Sequence, residues 1–163
     1  MASEICRRDF LKLAGIGGLG VVFGSALPGM GRGAEQDDFY FIQMSDSHWG
    51  FEGPPNPDAK GTLKKAVAAV NSLEQQPDFI VFTGDLTHTT DNPMERRKRL
   101  SEFKAIVSDL KAKTIRFMPG EHDASLDDGK AFKEFFGSTY YTFDHKGVHF
   151  IAVDNVSDPR AAI

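Results

Sequence analysis

The sequence predicts an α/β protein, a parallel or mixed sheet with covering helices, preceded by a leader that is no part of the fold. From Glu35 onward, short apolar β-rich runs alternate with longer segments of helical period. No internal repeat or low-complexity stretch interrupts that alternation. With 163 residues, 40% hydrophobic and 26% charged, the chain has room for one ordinary globular core and has neither a disordered nor a fibrous composition.

The first residues read as an address. Cys6-Arg7-Arg8-Asp9-Phe10-Leu11-Lys12 resembles the twin-arginine export motif, and Leu13 to Gly31 behind it carries no charge. That uncharged run has the length of a membrane anchor, but it contains seven glycines and Pro28. Each glycine weakens a helix by about 1 kcal/mol, which disfavours an anchor. Residues 1–34 are therefore expected to be a signal segment, cut after Ala26 or Ala34, that engages the twin-arginine export machinery and sends the protein to the periplasm or beyond. Residues 35–163 are expected to form the folded part. The sole cysteine, Cys6, lies in the leader, so the mature protein is expected to depend on packing and bound metal, with no internal disulfide. The leader is net positive, which leaves the body more acidic than the overall charge of −4. An acidic body argues against nucleic-acid binding by phosphate neutralisation.

The elements follow in order. Phe39 to Met44 and Asp78 to Thr83 are almost wholly apolar, as buried strands are. Between them Leu63, Val67, Val70 and Leu73 recur at helical spacing, with Lys60, Lys64, Lys65 and Asn71 off the stripe. A second helix is predicted from about Pro93 to Ala112. Leu100, Phe103, Val107 and Leu110 form its apolar face, and Arg96, Arg97, Lys98 and Glu102 its solvated one. Thr114 to Met118 is the third strand. Phe132, Phe135 and Phe136 mark a short core-facing helix stopped by Gly137. Tyr140 to Phe143 and Val148 to Val153 read as two strands joined by a tight connection at Lys146-Gly147.

Each of the first three strands is followed at once by a polar cluster. These are Asp46-Ser47-His48, Gly84-Asp85-Leu86-Thr87-His88 and Gly120-Glu121-His122-Asp123. In a wound sheet the carboxyl ends of parallel strands share one edge, so the clusters are expected to converge although they are far apart in sequence. Gathered acids would repel one another without a cation, and acids mixed with imidazoles suit a divalent metal. Asp46 and His48, two apart on an extended segment, can grip one ion. Asp85 can share its two oxygens between two ions, and Glu121 can hold the second. His145 and His149 lack such company and read as surface or packing histidines.

At these residues the sequence resembles the calcineurin-like metallophosphoesterase family, with motifs Asp-x-His, Gly-Asp and Gly-Asn-His-Asp. The resemblance runs from about Phe39 to Asn155 and is nearest to the branch that contains bacterial cyclic-nucleotide phosphodiesterases. It implies a four-layer α/β/β/α sandwich with mixed sheets and a pair of divalent ions such as manganese, iron or zinc. Asp46 and His48 would bind the first ion, Asp85 would bridge, Glu121 would take the place of the second ion's asparagine, and His122 would be catalytic. The implied reaction is hydrolysis of a phosphoric ester, possible substrates including a cyclic nucleotide, by a metal-activated water.

The sequence departs from the family pattern at Glu121, which adds a negative charge, and at His88, which stands where relatives have a tyrosine ligand or an aspartate. The residue that orients His122 is open between Asp91 and Asp123, and His88 is a further candidate for supporting the ligands. The family's later ligands, an isolated histidine and a Gly-His-x-His motif, would lie beyond Asp154, so a partial domain with weak metal retention is expected. Two rivals remain: a noncatalytic metal-binding or interaction module, and an α/β phosphotransfer domain with an aspartate nucleophile. The second needs neither His48 nor His122 and explains fewer residues.

Overall fold

The computed structural model of the protein describes residues 38–158. The expected leader, with Cys6 and the arginine pair, lies outside them. Three parallel strands, β1 (Phe41–Met44), β2 (Phe79–Thr83) and β3 (Ile115–Met118), stand in the order β1-β2-β3. The crossovers carry α1 (Ala59–Asn71) and α2 (Pro93–Val107). Two short helices follow, α3 (Glu121–Ala124) and α4 (Lys130–Phe136), and then an antiparallel hairpin of β4 (Tyr141–His145) and β5 (Val148–Ala152).

Because successive strand residues face opposite ways, the central strand β2 serves two layers. Ile80 and Phe82 join Leu63, Val67 and Val70 of α1 and Phe103 and Val107 of α2 in the main core. Phe79 faces the other way, stacking on Phe41 at 4.8 Å and meeting Phe143 and Phe150 edge-on at 5.4 and 5.3 Å. Phe143 and Phe150, directly paired across the hairpin, stack at 4.7 Å. The Tyr141 hydroxyl donates to the Phe117 carbonyl at 3.0 Å and fastens the hairpin to β3. The layers are thus helices, parallel sheet and hairpin, as the α/β reading with mixed sheets expects.

Several local expectations need correction. β1 is an edge strand, and its apolar run leaves Phe41 exposed instead of buried. Leu73 lies past the end of α1, which stops at the C-cap Ser72, and it is exposed. α2 ends at Val107 instead of Ala112, yet Leu110 and Ala112 stay in the core from the following loop. The apolar stripe therefore continued where the helix did not. Arg96 is not on a solvated face. It is buried, with Nη1 on Asp127 Oδ2 at 2.9 Å and Nη2 on the Thr90 carbonyl at 3.0 Å.

Elsewhere the local chemistry explains the elements. Asn92 accepts from the Met94 and Glu95 N–H groups at 2.9 and 3.2 Å, and Pro93 opens α2. Lys146 and Gly147 both have positive φ, 45° and 79°, as a two-residue hairpin turn requires. Of the aromatic residues of α4, Phe132 is fully buried and Phe136 packs on Phe117 at 4.5 Å, whereas Phe135 is only partly covered. His145 bonds Asp78 at 3.1 Å and His149 bonds Asp144 at 2.7 Å, so both have the packing or surface roles expected of them.

After β5 the chain turns about Asp154, which accepts from the Val156 and Ser157 N–H groups at 3.0 Å each and from the Ser157 hydroxyl. Burial works to raise this carboxyl, but the Ser157 hydroxyl and the backbone donors outweigh it and bring the pKa from 3.8 down to about 2. The folded value lies below the unfolded one, so this carboxylate stabilises the fold above 3.8, and the contribution is lost as pH falls toward about 2. Asp154→Asn is expected to cost up to about 2 kcal/mol at neutral pH, with the deficit shrinking through that acid window. Urea unfolding at a series of pH values reads the difference.

Candidate metal centre

Beyond the strand ends, β1 and β2 stay paired through irregular backbone. The Asp46 N–H donates to the Gly84 carbonyl at 3.1 Å, and His48 and Trp49 donate to Asp85 and Leu86, each at 2.9 Å. The His88 N–H returns to the Trp49 carbonyl at 2.9 Å. Trp49 itself is buried, and its indole donates to Glu102 of α2 at 2.9 Å. The first cluster is therefore zipped to the second, and Asp46 and His48 are brought beside Asp85.

The third cluster is joined by close backbone approach. Gly84 has φ +113°, and a Cβ there would fall 2.8 Å from the Gly120 Cα. A Cβ on Gly120 would fall 2.1 Å from the Asp85 nitrogen. Only glycine at both places lets the two turns touch. Asp123, buried in α3, then accepts from Gly120 N–H at 2.9 Å, Leu86 N–H at 3.0 Å, and the Thr87 N–H and hydroxyl at 2.9 and 3.0 Å. The helical turn α3 was not anticipated from the sequence. It aims the His122 N–H at Asp85 Oδ1, 3.1 Å away.

All five expected ligand and catalytic residues meet here. Nε2 of His48 lies 3.8 Å from Asp46 Oδ1 and 3.8 Å from Asp85 Oδ2. Nε2 of His122 lies 3.8 Å from Glu121 Oε1. Asp46, His48 and Asp85 form one group, and Asp85, Glu121 and His122 another, with donor atoms within 4.8 Å in each and Asp85 common to both. Donors about 2.1 Å from an ion stand about 3.4 Å apart, so small side-chain movements would close either group on a divalent cation.

His88 is closer to the centre than a supporting role suggests, since it forms a third group with His48 and His122. Burial pushes its imidazole pKa down, and the neighbouring His122, His48 and Arg99 push the same way. The buried Nδ1 atoms of His48 and His88 have no hydrogen-bond partner among the described residues. The nitrogen of His48 that faces the carboxylates is Nε2, which carries the geometry a metal ligand needs. The donor set therefore fits a divalent cation.

Strain marks the same residues. Asp46, His48 and Asp85 have φ of 58°, 43° and 48°, three of the five described non-glycine residues with positive φ. This left-handed region costs an L-residue roughly 1–2 kcal/mol, and such outliers gather at functional sites.

Sequence reasoning missed what holds His122. Its Nδ1 is met by Thr89, through the N–H at 3.3 Å and through the hydroxyl. Neither proposed helper does this: the Asp123 carboxylate is taken up by the Leu86–Thr87 turn, and Asp91 is exposed with no contact to His122 among the described residues. A hydroxyl three residues past the Asp85-Leu86 turn gives little sequence signal, because threonine is common in loops.

Gly120→Ala is expected to destabilise the fold by about 1–3 kcal/mol and to displace Asp85. Thermal unfolding and calorimetric titration with manganese would show both losses together.

With the geometry established, comparison places the chain among known proteins. The profile described as calcineurin-like phosphoesterase matches residues 39–159. A serine/threonine-protein phosphatase, CPPED1, of Mus musculus is 26% identical over 72% of this chain and 43% of its own length. A probable glycerophosphodiester phosphodiesterase, GpdQ, of Arcobacter nitrofigilis is 27% identical over 58% of this chain and 33% of its own. The chain thus spans less than half the length of these curated relatives. A protein of unknown function from Aquifex aeolicus, known from a crystal structure, aligns with a TM-score of 0.40 at 24% identity over 69% of this chain and 57% of its own. The match over most of the described domain, on motifs that the fold brings together, makes this chain a member of the calcineurin-like phosphoesterase family.

Proposed function

We propose that the protein hydrolyses phosphoric esters with a water activated between two divalent cations, and that Asp46, His48, Asp85 and Glu121 hold the ions. One observation carries this reading: two ligand groups share the single carboxylate of Asp85. When bound, such ions neutralise phosphoryl charge and make water nucleophilic at neutral pH. The chain's own part is to fix Asp85 between the groups, through the His122 N–H and the paired backbone around Gly84, and to set His122 at the edge of the phosphate site. A cavity of about 420 Å³ lined by Thr89, Glu121, His122, Ser125, Asn155 and Val156 opens beside His122 and suits the alcohol part of an ester. The phosphatase and phosphodiesterase names of the relatives leave monoesters and diesters both in scope.

The test is hydrolysis of p-nitrophenyl phosphate and bis(p-nitrophenyl) phosphate by the protein in its full encoded length, with and without manganese. Metal-dependent turnover is expected, and Asp85→Asn should lower kcat/KM on the order of 100-fold, ~3 kcal/mol. Glu121 favours the rival reading of a noncatalytic metal-binding module, because it adds charge where the family motif has an asparagine. Metal bound without turnover of either ester would decide for that rival.

We also propose export by the twin-arginine route, on the strength of Arg7-Arg8 and the uncharged run behind them. A reporter fused behind residues 1–34 should leave the cytoplasm, and replacing both arginines with lysine should keep it inside; cell fractionation reads the outcome.

A further inference from the structure

We infer that Thr89 is a positioning residue that fixes the His122 imidazole with its proton on Nε2, so that His122 faces the metal centre as a hydrogen-bond donor and not as a ligand through that nitrogen. A backbone N–H has a proton to give and no lone pair to offer. Since the Thr89 N–H is directed at Nδ1, 3.3 Å away, Nδ1 must carry the lone pair. The Thr89 hydroxyl meets the same nitrogen and can donate to it too. A neutral imidazole has one N–H, which is then on Nε2. That nitrogen lies on the Glu121 side, 3.8 Å from Oε1, where a phosphoryl or leaving oxygen would be placed under the function proposed above. A protonated nitrogen has no lone pair for a metal, so of the group Asp85, Glu121 and His122 only the two carboxylates would bind an ion.

The loop that carries Thr89 is built to hold such an aim. Arg99 Nη1 donates to the carbonyls of His88 and Thr89 at 2.9 and 3.3 Å, and Arg96 Nη2 to that of Thr90 at 3.0 Å. Three successive carbonyls are thus gripped by two arginines of α2. The arginines are themselves fixed, Arg99 by Glu95 at 3.1 Å and Arg96 by Asp127 at 2.9 Å. On the other side His88 stacks on the His122 ring, with centroids 5.0 Å apart and planes at 24°, which limits ring rotation.

The test has two readouts. Long-range proton–nitrogen NMR of the ring nitrogens, on the metal-free chain, assigns the tautomer without reference to activity. The proton should sit on Nε2 in the wild type and in Thr89→Ser; in Thr89→Val, which keeps the backbone N–H and loses only the hydroxyl, Nε2 should stay the major site, with a measurably larger Nδ1–H population. A proton on Nδ1 in the wild type would overturn the assignment, and a Thr89→Val spectrum identical to the wild type would remove the hydroxyl's part in it. In the hydrolysis assay, Thr89→Val should lower kcat by about 10- to 100-fold with KM held within about twofold, and Thr89→Ser should restore most of it. Unchanged kcat in Thr89→Val would remove the positioning role. A wild type inactive on every ester would defeat the proposed function, while the nitrogen spectra would still decide the tautomer.

Discussion

The Asp123 carboxylate is the joint on which the site depends. It is buried, and it accepts four hydrogen bonds, one from Gly120 beside the third cluster and three from Leu86 and Thr87 directly after Asp85. Burial pushes its pKa above the ordinary carboxylate value, and the Gly120, Thr87 and Leu86 donors oppose that shift. Four donors and no acceptor suit the ionised form, so we take the carboxylate as charged in the fold. Without it, the backbone N–H groups of a buried turn would lose their partners at about 1–3 kcal/mol each. The two loops would then be held by the contact of two glycines, the His122 N–H on Asp85 and the Thr89 contacts to the His122 ring.

That joint explains how strained backbone persists at three candidate ligands. Asp46, His48 and Asp85 sit in the left-handed region, yet their own backbone groups make the Asp46-to-Gly84 and His48-to-Asp85 hydrogen bonds that continue the β1–β2 ladder. The strain is local and the restraint is shared among Gly84, Leu86, Trp49 and Asp123. A sequence optimised for stability alone would place glycine or asparagine at such φ values. Aspartate and histidine stand there instead, and under the proposed function their side chains at the sheet edge would tie the conformational cost to the chemistry.

The strand–helix alternation and the three polar clusters were legible because each depends on local pattern: apolar runs for β1 to β3, a 3.6 period for α1 and α2, glycine at the turns. The convergence of Asp46, His48, Asp85, Glu121 and His122 followed from one topological rule about parallel sheets. Other features were not legible. Arg96 looked like one more charge on a solvated helix, since its burial depends on Asp127 and Thr90 reaching it from other loops. Thr89 was invisible for the same reason, because its partner lies 33 residues away. Asp123 was one of two candidates for orienting His122, while its carboxylate bonds the neighbouring turn.

Rigidity is distributed unevenly across the centre, and this bears on how it would take up ions. The Asp85 side chain is 18% exposed and bonded to the His122 N–H, whereas the side chains of Asp46 and Glu121 are 67% and 75% exposed. An enclosed carboxylate pays little conformational entropy on binding, while an exposed one must surrender rotamer freedom and hydration. The enclosed residue is therefore the one common to both groups, and the exposed ones belong to one group each. Under the proposed function, an ion at this edge would find Asp85 and His48 the less exposed of its ligands and Asp46 the more exposed. A second ion in the proposed pair would have Asp85 in place and would depend on the more exposed Glu121. Under that proposal, the glutamate that departs from the family pattern would sit where a change of side chain alters one ion's ligands and leaves Asp85 as it is.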